Sequence, residues 1–267
     1  MPKMNGVSGD DIVGVLLDRA NLTRLNLSGV DLAKADLASA WLFAAILDRA
    51  CLNRANLSDA NLTAASLIGA DLSGADLTEA NLLNCTLTRA DLTAAKLVSA
   101  DLNGADLSGA DLTGADLTKA NLCEANLTGA NLSGADLSGA WLTEANLTKA
   151  NLYEAQLDHA NLERAKLFYA NLERAKLTRA SLSHALLGCA DLTGADLTGA
   201  DLTKANLYGA DLSYTNLTKA NLTNAYMKRA DLEGADFTNA DFTGATCPSG
   251  DTATGDPPTC PMGSTTN

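Results

Sequence analysis

Side chains suited to acid–base, nucleophilic or metal chemistry are few in this chain: two His and six Cys among 267 residues. His184 and Cys189 are the nearest Cys/His pair in sequence. A histidine activates a thiol only within hydrogen-bond reach, about 3 Å. Both residues fall at consecutive turns of a five-residue repeat, where strand rise alone separates neighbouring corners by ~10 Å. No Cys/His set has the spacing of a structural zinc site. The many Gly-Ala-Asp segments are repeat turns rather than a phosphate-cradling loop. Cys85 takes an inward Ala position and reads as a packed small hydrophobe. Cys247 and Cys260 could close a loop as a disulfide, which would call for an oxidising compartment; their redox state stays open. The expectation is a chain with no catalytic residue, no cofactor and no metal, and therefore not an enzyme.

The elements that carry these residues are set by one phrase, Ala-Asp/Asn-Leu-Ser/Thr-X. It runs from Ala20 to Ala245 without insertion, centred on Leu22, Leu27 and so on to Phe242. Of these 45 centres, 42 are Leu, the others being Met227, Phe237 and Phe242, so the apolar position is nearly invariant along the chain. Two residues earlier stands Ala, except at Leu25, Val30, Cys85 and Thr215. Five residues on an α-helix turn ~500°, which leaves no apolar stripe. On a flat strand an odd period throws successive Leu to opposite faces. The chain must bend once per repeat and keep Ala and Leu inward, which gives a solenoid with an apolar axis.

The phrase, in variants such as Ala-Asp-Leu-Thr-Gly and Ala-Asn-Leu-Ser-Gly, resembles the pentapeptide repeat family over 226 of the 267 residues. Its near-uniform Leu is similar to cyanobacterial members. The resemblance implies an all-β fold, a right-handed quadrilateral β-helix with four repeats per coil. That makes about 11 coils and, at the strand spacing of ~4.8 Å, a rod of ~53 Å. Residues 1–19 are read as an N-terminal tail and capping helix, with the helix over Ser8–Arg19. Residues 20–245 form the β-helix, and residues 246–267 an irregular Pro/Gly-rich tail.

Two stretches depart from the phrase on its outer positions. Lys149, Tyr153, His159, Arg164, Lys166, Phe168, Tyr169, Arg174, Lys176, Arg179 and His184 mix bases with aromatics and form a candidate interaction patch. Trp41, Phe43, Ile46 and Cys51 form a second candidate. From Asp101 to Thr148 the surface is acidic, and Asp71, Asp91 and Asp111 would stack as one column. Those carboxylates could bond to turn amides, present a DNA-like surface, or hold cations loosely.

Net charge is −13, which argues against binding a bare phosphate backbone. No run of 18 apolar residues suggests a membrane span, and Met1–Gly6 lacks the apolar core of a signal peptide. A cytoplasmic protein is expected, with no direct contact to nucleic acid or membrane. The leading expectation is a non-enzymatic protein-interaction scaffold with a protein partner. The family also includes DNA mimics that bind or protect DNA gyrase, a type II topoisomerase, and that is the alternative. A purely structural spacer is the third. Monomer and homodimer are both compatible with the sequence.

Overall fold

The structure, a computed structural model, describes residues 14–255 and 258–260. Each phrase forms one short extended segment and one tight turn. The central carbonyl accepts the amide of the residue three further on, as Leu127 does from Ala130 at 3.0 Å. The third turn residue has positive φ at every corner from Arg19 to Gly244, as a type II turn requires. Thirty-two of these corner residues are not Gly, although the left-handed region costs an L-residue roughly 1–2 kcal/mol. From Arg19 to Arg229 each corner amide instead donates to the next coil, as Arg164 does to Ser183 at 3.0 Å. The coil above thus helps hold a conformation the residue alone would avoid.

Parallel bridges link residues 20 apart, for example Asp71 to Asp91 and Asp91 to Asp111. Four repeats therefore complete one coil. We number the sides by their central residues: side one carries Leu22 and Leu42, side two Leu27 and Leu47, side three Leu32 and Leu52, side four Leu17 and Leu37. From Leu37 to Leu222 every central Leu is fully buried, and the Ala wall beside it is closed. Where Cys85 and Thr215 replace Ala, their side chains donate to the carbonyls of Leu62 and Leu192 at 2.7 and 3.0 Å. Burial, with no opposing charge, pushes the Cys85 thiol up to about 12, so it stays protonated.

The expected helix over Ser8–Arg19 is overturned where it can be compared. Gly14–Arg19 already follow the solenoid, and Ser8–Val13 lie outside the described residues. Val15 takes an Ala position and Leu17 a central one. Leu16 bridges Asp36, and the Leu17 amide donates to the Asp36 carbonyl at 2.7 Å. Gly14, at φ 70°, turns the corner before them. These backbone groups bond to the next coil, so an internal helical ladder has nothing left to pair.

At the other end Cys247 occupies a central position five residues after Phe242, and it is fully buried. It is bridged to Cys260, with a Cα–Cα distance of 5.4 Å. The chain turns back at Thr246, which pairs antiparallel with Thr252. Strands β1 (Thr254–Gly255) and β2 (Pro258–Thr259) then form a short antiparallel hairpin. The rings of Phe237 and Phe242 meet edge to face at 5.2 Å in the last coil.

The outward Asp and Asn are largely used by the fold. Asp71, Asp91 and Asp111 each accept the amide two residues on, at 3.0, 2.9 and 3.0 Å. Below them Asn131, Asn151 and Asn171 pass amide hydrogen bonds up the column. At Asp71 burial opposes ionisation, but bonds from Ser73 and Asn53 outweigh it and lower the pKa below 3.8. At Asp236 and Asp241 the hydroxyls and amides of Thr238 and Thr243 do the same. A depressed carboxylate contributes stability above its unfolded value and loses it as pH falls through the lower folded one. Stability should therefore hold down to about pH 4 and decline below it. A urea midpoint followed from pH 7 to pH 2 checks this; a decline already complete at pH 5 would contradict it.

Candidate interaction face

The 20-residue register sorts the surface by side. Adjacent repeats lie on different sides, and residues 20 apart share one. The sequence-defined basic patch is consequently split around the rod. Lys149, Lys166, Phe168 and Tyr169 stand on side two. Lys176, His159 and Arg179 stand on side four, opposite. Arg164 and His184 take the corner after side one, and Tyr153 and Arg174 belong to side three. Arg164 is engaged by Glu144 at 3.4 Å and Glu163 at 3.8 Å. Arg174 pairs with Glu154 and Glu173, both at 3.6 Å, and donates to the Tyr153 hydroxyl at 3.0 Å. Arg164–Glu144 and Arg174–Glu154 link neighbouring coils, and exposed pairs of this kind contribute little to stability.

The Trp41 cluster divides in the same way. Trp41 and Phe43 are on side one, Ile46 on side two and Cys51 on side three. Trp41 is exposed, while Phe43 is half-buried under the Arg24 guanidinium at 5.8 Å. Trp141, five coils along, is equally exposed on side one.

Side two differs from the other three. Its outward positions hold Arg49, Arg89, Lys149, Lys166, Lys228 and Arg229 against only Asp48 and Asp106. Side three carries ten carboxylates against Lys34, Arg54 and Arg174. From Asn126 to Ser249 side two has no carboxylate at all. The next in sequence, Asp251, accepts a hydrogen bond from Ser249 within the terminal loop at 2.9 Å. Among the described residues Lys149, Lys166, Lys228 and Arg229 make no ion pair. Their charge is left facing solvent.

Apolar groups stand between these bases. Tyr169 is 62% exposed, and Leu186 lies one coil beyond Lys166. Phe168 leans over Gly188, where a Cβ would come within 3.1 Å of its ring. Gly188 has no positive φ and so serves by its small size, replacing the usual Ser or Thr. Tyr208 and Tyr226 stack at 6.2 Å, and the Arg229 guanidinium covers Tyr208 at 5.8 Å. A cation on an aromatic face is held in place without losing its charge. The sequence patch includes Lys149, Lys166, Phe168 and Tyr169 of this side and leaves out Leu186, Tyr208, Tyr226, Lys228 and Arg229. The signal that finds them is a stride of 20.

Among the described residues no group of His, Cys, Asp and Glu is arranged to hold a metal, and no helix is long and apolar enough to cross a membrane. A parallel coil of four sides around a Leu axis defines the class, a right-handed β-helix solenoid. The family follows from the sequence of its coils. This chain belongs to the pentapeptide repeat proteins, whose profile, Pentapeptide repeats, matches in eight copies across residues 11–244. It is similar to HetL, a pentapeptide repeat protein involved in heterocyst differentiation regulation from the cyanobacterium Nostoc sp. strain PCC 7120. The two share 38% identity over 86% of this chain and 92% of HetL, with a TM-score of 0.53. QnrB1, a plasmid-mediated fluoroquinolone resistance protein, aligns over 71% of this chain and 86% of its own at 19% identity and a TM-score of 0.51. That second likeness is one of fold alone. No curated protein sequence matches the chain.

Proposed function

We propose that the protein is a non-enzymatic interaction scaffold whose docking surface is side two between Lys149 and Arg229. The observation that carries this reading is the concentration of unpaired bases and aromatic groups on one side of an otherwise acidic rod. A stiff solenoid presents such a strip with little entropy lost on docking. The likeness to HetL, a regulatory protein by its description, supports a role exercised through binding. The test is a pull-down from host lysate with the whole chain as bait. Lys166→Glu/Lys228→Glu/Arg229→Glu should lose the specific partner, and Lys176→Glu/Arg179→Glu on side four should retain it. Equal capture by both variants would refute side two as the surface.

A DNA-mimic role toward a type II topoisomerase is the second reading, favoured by the carboxylates of side three. In that case Asp191→Asn/Asp211→Asn/Asp231→Asn would release the enzyme and the side-two variant would not. A cytoplasmic location belongs to the proposal as well. Alkylation during rapid denaturation of whole cells should find Cys247 and Cys260 as free thiols there; recovery of the disulfide would place the protein in an oxidising compartment.

A further inference from the structure

We infer that side two takes a short, extended, acidic segment of its partner, with apolar residues between the carboxylates. This rests on the scaffold reading and adds the chemistry of what docks. Lys149 and Arg229 occupy one corner column, four coils apart. At ~4.8 Å per coil the strip is ~19 Å long, the reach of about six extended residues. Its width is one side of the coil, roughly three residues or ~10 Å. The resulting area of ~200 Å² is far below the ~800 Å² per partner of a standard interface between folded proteins. The strip suits a segment, not a globular surface.

Charge fixes the sign of that segment. Lys149, Lys166, Lys228 and Arg229 face solvent on the part of side two, Asn126 to Ser249, that has no carboxylate. Of the adjoining sides, side three is acidic, with Asp191, Asp211 and Asp231, whereas on side one Arg164 and Lys204 offset Glu144, Glu163 and Asp201. An anionic ligand is drawn to the strip and kept from spreading toward side three, where it would meet like charge. Leu186 and the exposed ring of Tyr169 give apolar contact between the bases. A nucleic-acid single strand is the poorer fit. Successive bases need a row of open aromatic faces, and here Tyr169 offers one, while Tyr208 and Tyr226 stack on each other and Arg229 covers Tyr208.

The experiment is fluorescence anisotropy on the full chain with a labelled peptide of about eight residues alternating Glu and Leu. Matched probes are a Lys/Leu peptide and an oligo-dT of similar length. We expect the Glu/Leu peptide to bind, and to weaken as NaCl rises from about 50 to 300 mM. Lys166→Glu/Lys228→Glu/Arg229→Glu should weaken it at least ~tenfold, because reversing close charge partners costs well over 1.4 kcal/mol. Lys176→Glu/Arg179→Glu should leave it unchanged. Equal binding of the Lys/Leu peptide, tighter binding of oligo-dT through the same three residues, or indifference to the side-two variant would each overturn the inference. If the lysate partner depends on side two and the Glu/Leu peptide does not bind, the acidic-segment chemistry falls and the scaffold reading stands.

Discussion

Leu132→Asp is expected to break the rod at its middle. Leu132 is fully buried on side three, with central Leu above and below it. Ionised Asp there would have no partner among Leu and Ala, a penalty of at least about 4–5 kcal/mol. Even Leu132→Ala should cost about 2–5 kcal/mol through the cavity it leaves. Coils touch only their neighbours, so the loss should divide unfolding into two blocks rather than lower the stability of the whole evenly. Urea titration by circular dichroism, with hydrogen exchange to assign the blocks, makes the comparison. A single transition at the original midpoint for Leu132→Asp would show that the axis does not carry the fold.

Cys247→Ser should produce the second large effect, and confine it to one end. The bridge closes a loop with a sequence separation of 13 between Cys247 and Cys260. Loops of about this size are stabilised by roughly 3 kcal/mol when cross-linked. Because Cys247 fills a central position, its bridge ties the returning tail directly to the axis. Losing it should expose Phe242 and the last coil to exchange while coils near Leu132 keep their protection. Reduction with dithiothreitol should reproduce the pattern in the unmodified chain. Exchange rising uniformly from Gly14 to Thr254 would mean that the rod unfolds as one unit and that the end loop is not a local clasp.

The axis was legible in the sequence because a five-residue phrase with an inward Leu and Ala admits few folds. Its limits were harder to see. Val15 and Leu17 fit the phrase only if Val is accepted for Ala, and apolar residues from Ile12 to Leu17 imitate a helix face. Cys247 hid in the same way, since Pro and Gly around it signalled a loop while its spacing from Phe242 kept the central register. The sequence patches scatter over the rod for a geometric reason. Lys166 and Lys176 look close in sequence but stand on opposite sides. Lys166 and Tyr226, 60 residues apart, share one row. A solenoid surface is contiguous along the stride of its coil, and a reading window along the chain cuts across it.

That stride also governs how such a chain can change length. Removing 20 residues subtracts one storey and leaves every remaining side chain on its former side. Removing five rotates everything downstream by a quarter turn. Lys166, Tyr226 and Arg229 would then stand where another side used to be, no longer in line with Arg49 and Arg89. Insertions and deletions in multiples of four repeats are neutral to the surface, whereas a single repeat gained or lost reassigns it wholesale. A protein built this way carries a dial as well as a ruler, set by the count of its repeats modulo four.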